Sequence, residues 1–213
     1  MPRKPKYTKE EIAEYGLQIV KKQGIEKLTA RELAKVLGTT VAPIFVYYPT
    51  MDDLKEDVRI LAEKEYRDYI QRGLSEKIPL LGVGMQFIQF AKKEPELYRL
   101  LFLSEHMTDK GKSYCVMDEL AYTQTLVRES VQSFYDMDEL AANHYFRDMW
   151  FVAHSLATLL VTGGCTYTEA EIRSIFTEIS ISICKAYKEV PGLIEGKYNR
   201  DAIFKELVNK KSS

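Results

Sequence analysis

The chain has 213 residues, of which 46% are hydrophobic and 29% are charged, and its formal net charge is −1. These values are typical of a soluble globular protein, and they exclude a chain that binds nucleic acid through overall positive charge. The charge is unevenly distributed: residues 1–50 carry 9 Lys or Arg against 5 Asp or Glu, whereas residues 51–213 carry 21 against 26. A basic N-terminal part on an acidic remainder favours DNA contact near the N-terminus.

The cysteines and the apolar runs indicate the cellular compartment in which the protein is found. Cys115, Cys165 and Cys184 lie far apart, and no Cys or His residues show metal-ligand spacing. We therefore predict buried thiols in a reducing cytoplasm, with no bound metal and no cofactor. The N-terminal residues lack the apolar run of a signal peptide, and the run 149–161 is too short to span a bilayer. The sequence thus predicts a cytoplasmic protein without membrane contact.

The chain begins with a basic arm, residues 1–7, that contains two prolines. The arm is either a solvated terminus or a segment that reaches the backbone or the minor groove of DNA. The T-x-x-E box from Thr8 to Glu11 predicts a helix to about residue 23, ended by Gly24. The predicted buried stripe of this helix comprises Ile12, Tyr15, Ile19 and Val20.

Residues 29–48 have the spacing of a helix-turn-helix. The box formed by Thr29 and Glu32 predicts a helix from residue 30, and Gly38 stands where a helix ends with a left-handed residue. Thr39 or Thr40 is predicted to cap a second helix from Val41, whose apolar face comprises Ile44, Phe45 and Tyr48. Two short helices around a glycine turn are the pattern that places its second helix in the DNA major groove.

The remainder reads as helical throughout. Pro49 stops the helix-turn-helix, and Thr50 with Asp53 caps a long helix over 50–72, which connects the N-terminal unit to the rest because no flexible linker intervenes. Further helices are predicted over about 79–93, 95–103, 113–135, 136–162 (capped by Asp136 and Glu139), 168–188 (opened by the T-x-x-E box of Thr168 and Glu171) and 201–208, with a loop over 104–112.

The first sixty or so residues resemble the N-terminal domain of TetR/AcrR-type transcriptional regulators. The resemblance rests on the first helix, on ARELAKVLG, and on the aromatic run Phe45-Val46-Tyr47-Tyr48-Pro49. The segments KKEPELYRLLF and WFVAHSLATLL are similar to body segments in some branches of the family. The resemblance implies an all-α fold, with a three-helix DNA-binding head over residues 1–49 and a ligand-binding and dimerisation body over 50–213. It also implies a palindromic double-stranded operator, a small-molecule inducer, and a homodimer formed by helices at about 138–162 and 168–188.

The predicted DNA-binding residues follow from this match. Hydroxyls and a helix N-terminus can contact phosphate or base edges, and lysine and arginine side chains contact the backbone. Lys27 and Lys35 are further candidates for backbone contacts. The predicted set is Thr29, Arg31, Thr39, Thr40, Val41, Pro43, Tyr47, Tyr48 and Lys55.

The chain departs from the family at several of these positions. Val41 stands where the family often has Lys, and Val46 where it often has His or Arg. After Pro49 and Thr50, Met51 stands where the family often has Lys, and Asp52 and Asp53 follow it. The second helix of the helix-turn-helix, here called the reading helix, therefore has no charged side chain. Base contact would rest on threonine hydroxyls, apolar contact with thymine methyls and a tyrosine. Few cationic contacts predict a shallow salt dependence of DNA binding.

The body is rich in aromatic and methionine side chains. Such stripes at helical spacing are typical of a core, but the resemblance implies that some of them line a cavity for an apolar or aromatic inducer. His154 is either a satisfied interior histidine or a group that orients the inducer. The predicted ligand-binding set is Phe87, Phe90, Tyr98, Phe102, Met117, Tyr122, Trp150 and His154.

No catalytic motif is present in the sequence, so we predict that the protein is not an enzyme. The prediction is a ligand-responsive transcriptional regulator, a repressor that an inducer releases from its operator. One alternative is a protein of this fold that has lost operator binding and acts through a protein partner; the uncharged reading helix and Asp52-Asp53 motivate it. A small helical enzyme that uses the body cavity is the other alternative.

Overall fold

A computed structural model describes residues 6–104 and 116–209, without the side chains of residues 116–118. Every regular element in these ranges is helical, which confirms the predicted all-α class. The α-helices are α1 (Lys9–Gln23), α2 (Ala30–Leu37), α3 (Ala42–Tyr47), α4 (Met51–Leu74), α5 (Pro79–Lys93), α6 (Pro95–Tyr98), α7 (Val116–Tyr135), α8 (Glu139–Thr162), α9 (Glu169–Glu189) and α10 (Arg200–Asn209). A 3₁₀ turn, Ile25–Lys27, precedes α2, and a π-helical turn, Arg99–Leu103, continues α6.

Side-chain caps set where most of these helices begin. Thr8, Thr50 and Thr168 each accept a hydrogen bond from the backbone N–H three residues later. The carboxylate at that later position accepts the backbone N–H of the threonine in turn. These reciprocal bonds satisfy amide groups that the first turn of a helix leaves unpaired. Three of the four predicted capping boxes are therefore confirmed in full, and Thr29 forms half of the fourth.

One predicted cap is wrong. Asp136 was expected to start the helix that ends near residue 162, but Asp136 has φ 51° and lies in the turn after α7. Asp138 caps α8 instead, and its Oδ1 accepts the Ala141 N–H at 2.8 Å. The two aspartates are two positions apart, and only the second has the extended backbone that an N-cap requires. The predicted loop over 104–112 lies almost wholly outside the described residues.

The three N-terminal helices pack around a small apolar centre. Ile12 and Val20 of α1 are fully buried, and so is Leu33 of α2. Tyr15, predicted in the buried stripe of α1, is 39% exposed, so that prediction is wrong. Its ring instead meets the Tyr7 ring edge-on at the surface, with centroids 6.1 Å apart.

Helix α4 joins the N-terminal helices to the rest of the chain. It packs against α1 and continues into close contact with α5. Near its end the backbones touch: a Cβ on Gly73 would lie 2.6 Å from the Val83 Cα, and one on Gly82 would lie 2.3 Å from the Gly73 carbonyl oxygen. Buried residues on both sides of position 50 form one continuous core. The division into a head (1–49) and a body (50–213) therefore stays a prediction.

The body is a bundle in which α5, α7 and α9 pack around α8. The last helix, α10, follows a pair of tight turns that contain Gly192 and Gly196, both with positive φ. Its apolar side chains are largely exposed, including Phe204 at 61% and Val208 at 82%. Among the described residues, α10 buries none of its own side chains.

Candidate nucleic-acid interface and body cavity

The N-terminus of α2 forms one edge of the candidate interface. The Thr29 hydroxyl accepts the Glu32 N–H at 3.2 Å, so Thr29 is the N-cap and half of its predicted box is present. Arg31 and Lys35 are exposed on the same helix, and the Lys35 Nζ lies 3.7 Å from a carboxylate oxygen of Glu32. A helix N-terminus with exposed cations beside it is suited to binding an anion such as phosphate.

The turn between α2 and α3 is formed as its glycine predicts. Gly38 is left-handed at φ 61° and ψ 44°, its N–H donates to the Lys35 carbonyl, and the Thr39 N–H donates to the Ala34 carbonyl at 3.0 Å. This pair of bonds satisfies the last carbonyls of α2. The donors of both bonds lie in the four residues that separate α2 from α3.

The start of α3 differs from the prediction. Val41, and neither Thr39 nor Thr40, occupies the N-cap position, and no side-chain hydrogen bond caps the helix. Val41 already has helical angles, φ −71° and ψ −22°, so the chain enters α3 without the extended residue that a threonine cap needs. Thr40 is exposed and Thr39 is half-buried immediately before the helix.

The faces of α3 are set by two buried residues. Ile44 and Tyr48 are 0% and 1% exposed, whereas Phe45, predicted on the same face, is 43% exposed. The prediction for Phe45 fails because α3 has fewer than two turns and its neighbours cover only one narrow face. Val41 and Val46 are also exposed, and Pro43 is half-buried in the first turn.

Two tyrosines tie α3 to its neighbours. The Tyr47 hydroxyl donates to the Tyr7 carbonyl at 3.1 Å. The Tyr48 hydroxyl lies 2.9 Å from Asp57 Oδ2 and 3.1 Å from the Lys9 carbonyl, and Lys9 Nζ lies 2.7 Å from the same Asp57 oxygen. Burial and the bond to Asp57 raise the pKa of Tyr48 above its usual range. Tyr48 is thus a core residue that joins α1, α3 and α4, and its predicted contact with DNA is incompatible with its burial.

Lys55 lies in the first turns of α4, close to the end of α3. Its Nζ is 3.7 Å from Asp52, and its side chain is 37% exposed. Asp53 takes part in the capping box of Thr50. Lys55 therefore lies on the surface within an acidic helix start, which weakens its attraction for phosphate.

Most of the predicted ligand-binding aromatics form one packed cluster in the body. Ring centroids are 5.1 Å apart for Phe87 and Phe102 and 5.1 Å apart for Tyr98 and Phe102. Tyr66 of α4, which the sequence did not single out, joins this cluster, with its ring 5.6 Å from Phe90 and 5.2 Å from Phe102. All five side chains are at least 96% buried, so they fill the space that they surround.

His154 lies at the edge of the cluster and is half-buried. Its ring stacks on the Trp150 ring with centroids 4.8 Å apart, and its Nδ1 lies 3.3 Å from the Tyr98 hydroxyl. That hydroxyl is also 2.9 Å from the Thr158 hydroxyl. Burial lowers the pKa of His154 and raises the pKa of Tyr98 to about 12. Both groups are therefore neutral near pH 7.

A small apolar cavity lies beside the cluster. Its volume is about 20 Å³, which is enough for one water molecule, whereas small-molecule sites occupy roughly 300–1,000 Å³. Of the predicted ligand-binding residues, Phe87 and Trp150 line it. The other lining residues, which sequence reasoning did not select, are Tyr66, Ile70, Leu80, Val83, Gly84, Thr123, Phe146, Met149, Ala153 and Phe176. Their spacing on helices is that of ordinary core residues and gave no separate signal.

Two other predicted ligand residues lie away from this cavity. The Arg67 guanidinium lies over the half-buried Tyr122 ring, 4.3 Å from its centroid, and Arg67 also pairs with the buried Glu119 at 3.1 Å. Tyr122 therefore belongs to a charged contact between α4 and α7. The side chain of Met117 lies outside the described residues.

Over residues 6–104 and 119–209, no group of three or more His, Cys, Asp or Glu side chains could hold a metal ion. Cys165 and Cys184 are free and only half-buried, so their predicted burial is wrong. In the same ranges, no helix combines the length and hydropathy needed to cross a bilayer.

Comparison with known proteins identifies the fold. No protein-family model and no curated protein sequence matches the chain. Among solved structures, it is similar to a TetR-family transcriptional regulator from Streptomyces coelicolor, with a TM-score of 0.64 and 16% sequence identity over 95% of this chain and 94% of that chain. The predicted resemblance is thereby confirmed for the fold, which is that of the TetR family over nearly the whole chain.

Proposed function

We propose that this chain is a DNA-binding transcriptional regulator that acts as a homodimer and responds to a small molecule. The observation that carries the proposal is the pair α2 and α3, joined at the left-handed Gly38 and held by the buried Ile44 and Tyr48. This pair leaves one face of α3 exposed. In helix-turn-helix proteins the equivalent helix enters the major groove.

The neighbouring residues suit contact with the DNA backbone. Thr29 and the free N–H groups of α2 form a positive helix end, and Arg31 and Lys35 are exposed beside it. In a homodimer, two such heads enter successive major grooves about 34 Å apart, which matches a palindromic operator. Lys55 is a weaker candidate for a backbone contact than Arg31 and Lys35, because its Nζ lies 3.7 Å from Asp52.

The exposed apolar side chains of α8 and α9 support a homodimer. Leu140 and Phe151 are 47% and 51% exposed and lie on one side of α8, and Ile181 of α9 is 62% exposed. Large apolar side chains with this much exposed surface favour a protein interface over solvent. We assign these helices, 139–162 and 169–189, to the interface with a second copy of the chain.

The response to an inducer would begin at the small apolar cavity. A ligand must expand the present volume of about 20 Å³, so the described state corresponds to the closed form. Tyr66 and Ile70 of α4 line the cavity, and α4 packs on α1 of the head. Expansion would tilt α4, change the spacing of the heads and release the operator, with a coupling of about 1–3 kcal/mol. We therefore propose a repressor, located in the cytoplasm, whose inducer is apolar or aromatic.

The test is fluorescence anisotropy of the full-length protein against a random duplex, measured as a function of salt. We expect binding at low salt, since specific regulators also bind non-specific DNA. The double variant Arg31→Ala/Lys35→Ala should lower the salt slope by about 1.8, because each phosphate contact contributes about 0.9. The control Lys92→Ala/Lys93→Ala removes two exposed lysines at the end of α5 and should leave the slope unchanged.

A second function is favoured by one observation, the uncharged exposed face of α3 followed by Asp52 and Asp53. A head that had lost operator binding and contacted a protein partner would show the same features. Absence of any duplex binding at low salt would reject the regulator and favour this function.

A further inference from the structure

The exposed face of α3 consists only of apolar side chains. Ile44 and Tyr48 are buried and fix how α3 is rotated, so Val41, Phe45 and Val46 point outward with 37%, 43% and 77% of their surface exposed. The fourth exposed position at this helix is an alanine. A groove-binding helix with this surface presents no side-chain donor or acceptor to the base edges that it faces.

The hydrogen-bonding groups near α3 are few and lie at its ends. Tyr47 has the one polar side chain of the helix, and its hydroxyl proton is donated to the Tyr7 carbonyl. Thr39 and Thr40 precede the helix, and no charged residue occurs from residue 36 to 51. Bidentate contacts such as arginine to guanine or asparagine to adenine are therefore absent from α3.

We propose that α3 recognises its operator through the C5-methyl groups of thymine. The proposal rests on the DNA-binding function proposed above and names what is read. In the major groove the thymine methyl is the apolar feature that marks a base pair, and it is bound by apolar side chains. Val41, Phe45 and Val46 bury these methyls, while the threonines at the start of the helix contact polar edges or phosphate. The preferred half-site is consequently defined by the positions of its thymines.

The first experiment removes single methyl groups from DNA. A preferred duplex is selected from a random library with the full-length protein, and each thymine is then replaced by deoxyuridine, which keeps the base pairing and lacks the methyl. We expect Kd to rise about fourfold at each contacted position, equivalent to about 0.8 kcal/mol per methyl group. Deoxyuridine outside the protected region serves as the control and should leave Kd unchanged.

The second experiment tests whether Val46 is a side chain that contacts the thymine methyl groups. Val46→Ala should weaken binding to the thymine duplex and have a smaller effect on the fully substituted deoxyuridine duplex. Val208→Ala is the matched control, because Val208 is similarly exposed (82%) but lies in α10. This control should bind both duplexes as the unchanged protein does.

The outcomes separate this proposal from the one on which it rests. Selective binding that is insensitive to every deoxyuridine substitution overturns methyl recognition and leaves the DNA-binding regulator intact. Failure to select any duplex, together with no anisotropy change at low salt, overturns both methyl recognition and the DNA-binding regulator. That result favours a protein partner that binds the apolar face of α3.

Discussion

The head and the body contain their candidate sites in different ways. In the head, core and candidate site are separate: Ile44 and Tyr48 are buried, while Arg31, Thr40 and Val46 are exposed. In the body, most of the aromatic side chains chosen as ligand contacts belong to the core itself, and the free space beside them is about 20 Å³. A surface that meets DNA needs no change of packing, whereas a buried ligand site needs the body to open.

The difference limits what aromatic content can indicate. Tyr66, Phe87 and Phe102 are in ring contact with one another, and such contacts stabilise a core whether or not a ligand ever enters it. A cavity in the body is a property of how five helices meet. The exposed face of α3, by contrast, follows from which two of its residues are buried.

The largest expected effect tests whether the body core is tightly packed. Phe176 of α9 is 1% exposed and lines the cavity. Phe176→Ala should lower the free energy of unfolding by about 3–5 kcal/mol, because it removes buried contacts and enlarges the void. Urea denaturation measures this loss, and added benzene should recover part of it by filling the space. Phe204→Ala is the control, because this side chain is 61% exposed and its removal should cost little stability. An equally small loss for Phe176→Ala would show that the body core is not tightly packed.

The next effect tests the anchor that holds α3 in the head. Tyr48→Phe removes a buried hydroxyl that bonds to Asp57, and it should lower the free energy of unfolding by about 1.5 kcal/mol. Tyr15→Phe is the matched control, since the Tyr15 side chain is 39% exposed and makes no hydrogen bond within the described chain. Equal stability of the two variants would mean that packing alone orients α3.

The pH dependence of stability tests the polar edge of the body cluster. Burial lowers the folded pKa of His154 below its ordinary value near 6.5, so the unfolded chain takes up this proton first as pH falls. Stability should therefore decrease below about pH 6.5, by at most about 1.4 kcal/mol per pH unit from this group. Denaturation at pH 7.5 and 5.5 should show a smaller decrease for His154→Gln; an unchanged decrease would assign it to other residues.

Removal of a helix cap should have the smallest effect on stability, and an equal one in the head and in the body. Thr8 and Thr168 cap α1 and α9 through the same reciprocal bonds. Replacing either with alanine should lower the free energy of unfolding by about 1 kcal/mol. Thr166→Ala, just before the cap of α9, should change it little. A much larger loss at Thr8 would indicate that the head depends on its caps more than the body does.

The sequence predicted features whose cause is local and missed those that depend on tertiary packing. Thr8, Gly38 and Thr168 act on neighbours a few residues away, so their spacing was sufficient to predict helix ends. Asp136 was mistaken for the cap because it is an aspartate like Asp138, and residue type does not show which of the two has the extended backbone of an N-cap. Spacing placed Tyr48 on the apolar face of the second helix, but its hydrogen bond to Asp57 in the next helix has no signal in that spacing.

The candidate sites show the same division. Exposure of Arg31 and Thr40 followed from the helix-turn-helix pattern, although their contact with DNA stays a prediction. In the body, no sequence pattern distinguishes Phe146 and Met149, which line the cavity, from Phe90, which does not. That distinction arises from helices far apart along the chain, which spacing does not encode.

The contact of Gly73 with Gly82 and Val83 makes α4 a lever. With 24 residues the helix is about 36 Å long, and its far end holds the head while this contact lies close to its other end. Backbones that touch cannot slide past each other, but they can rotate about the point of contact. A rotation of about 5° there displaces the opposite end by about 3 Å, a distance comparable to one base-pair step along the DNA axis.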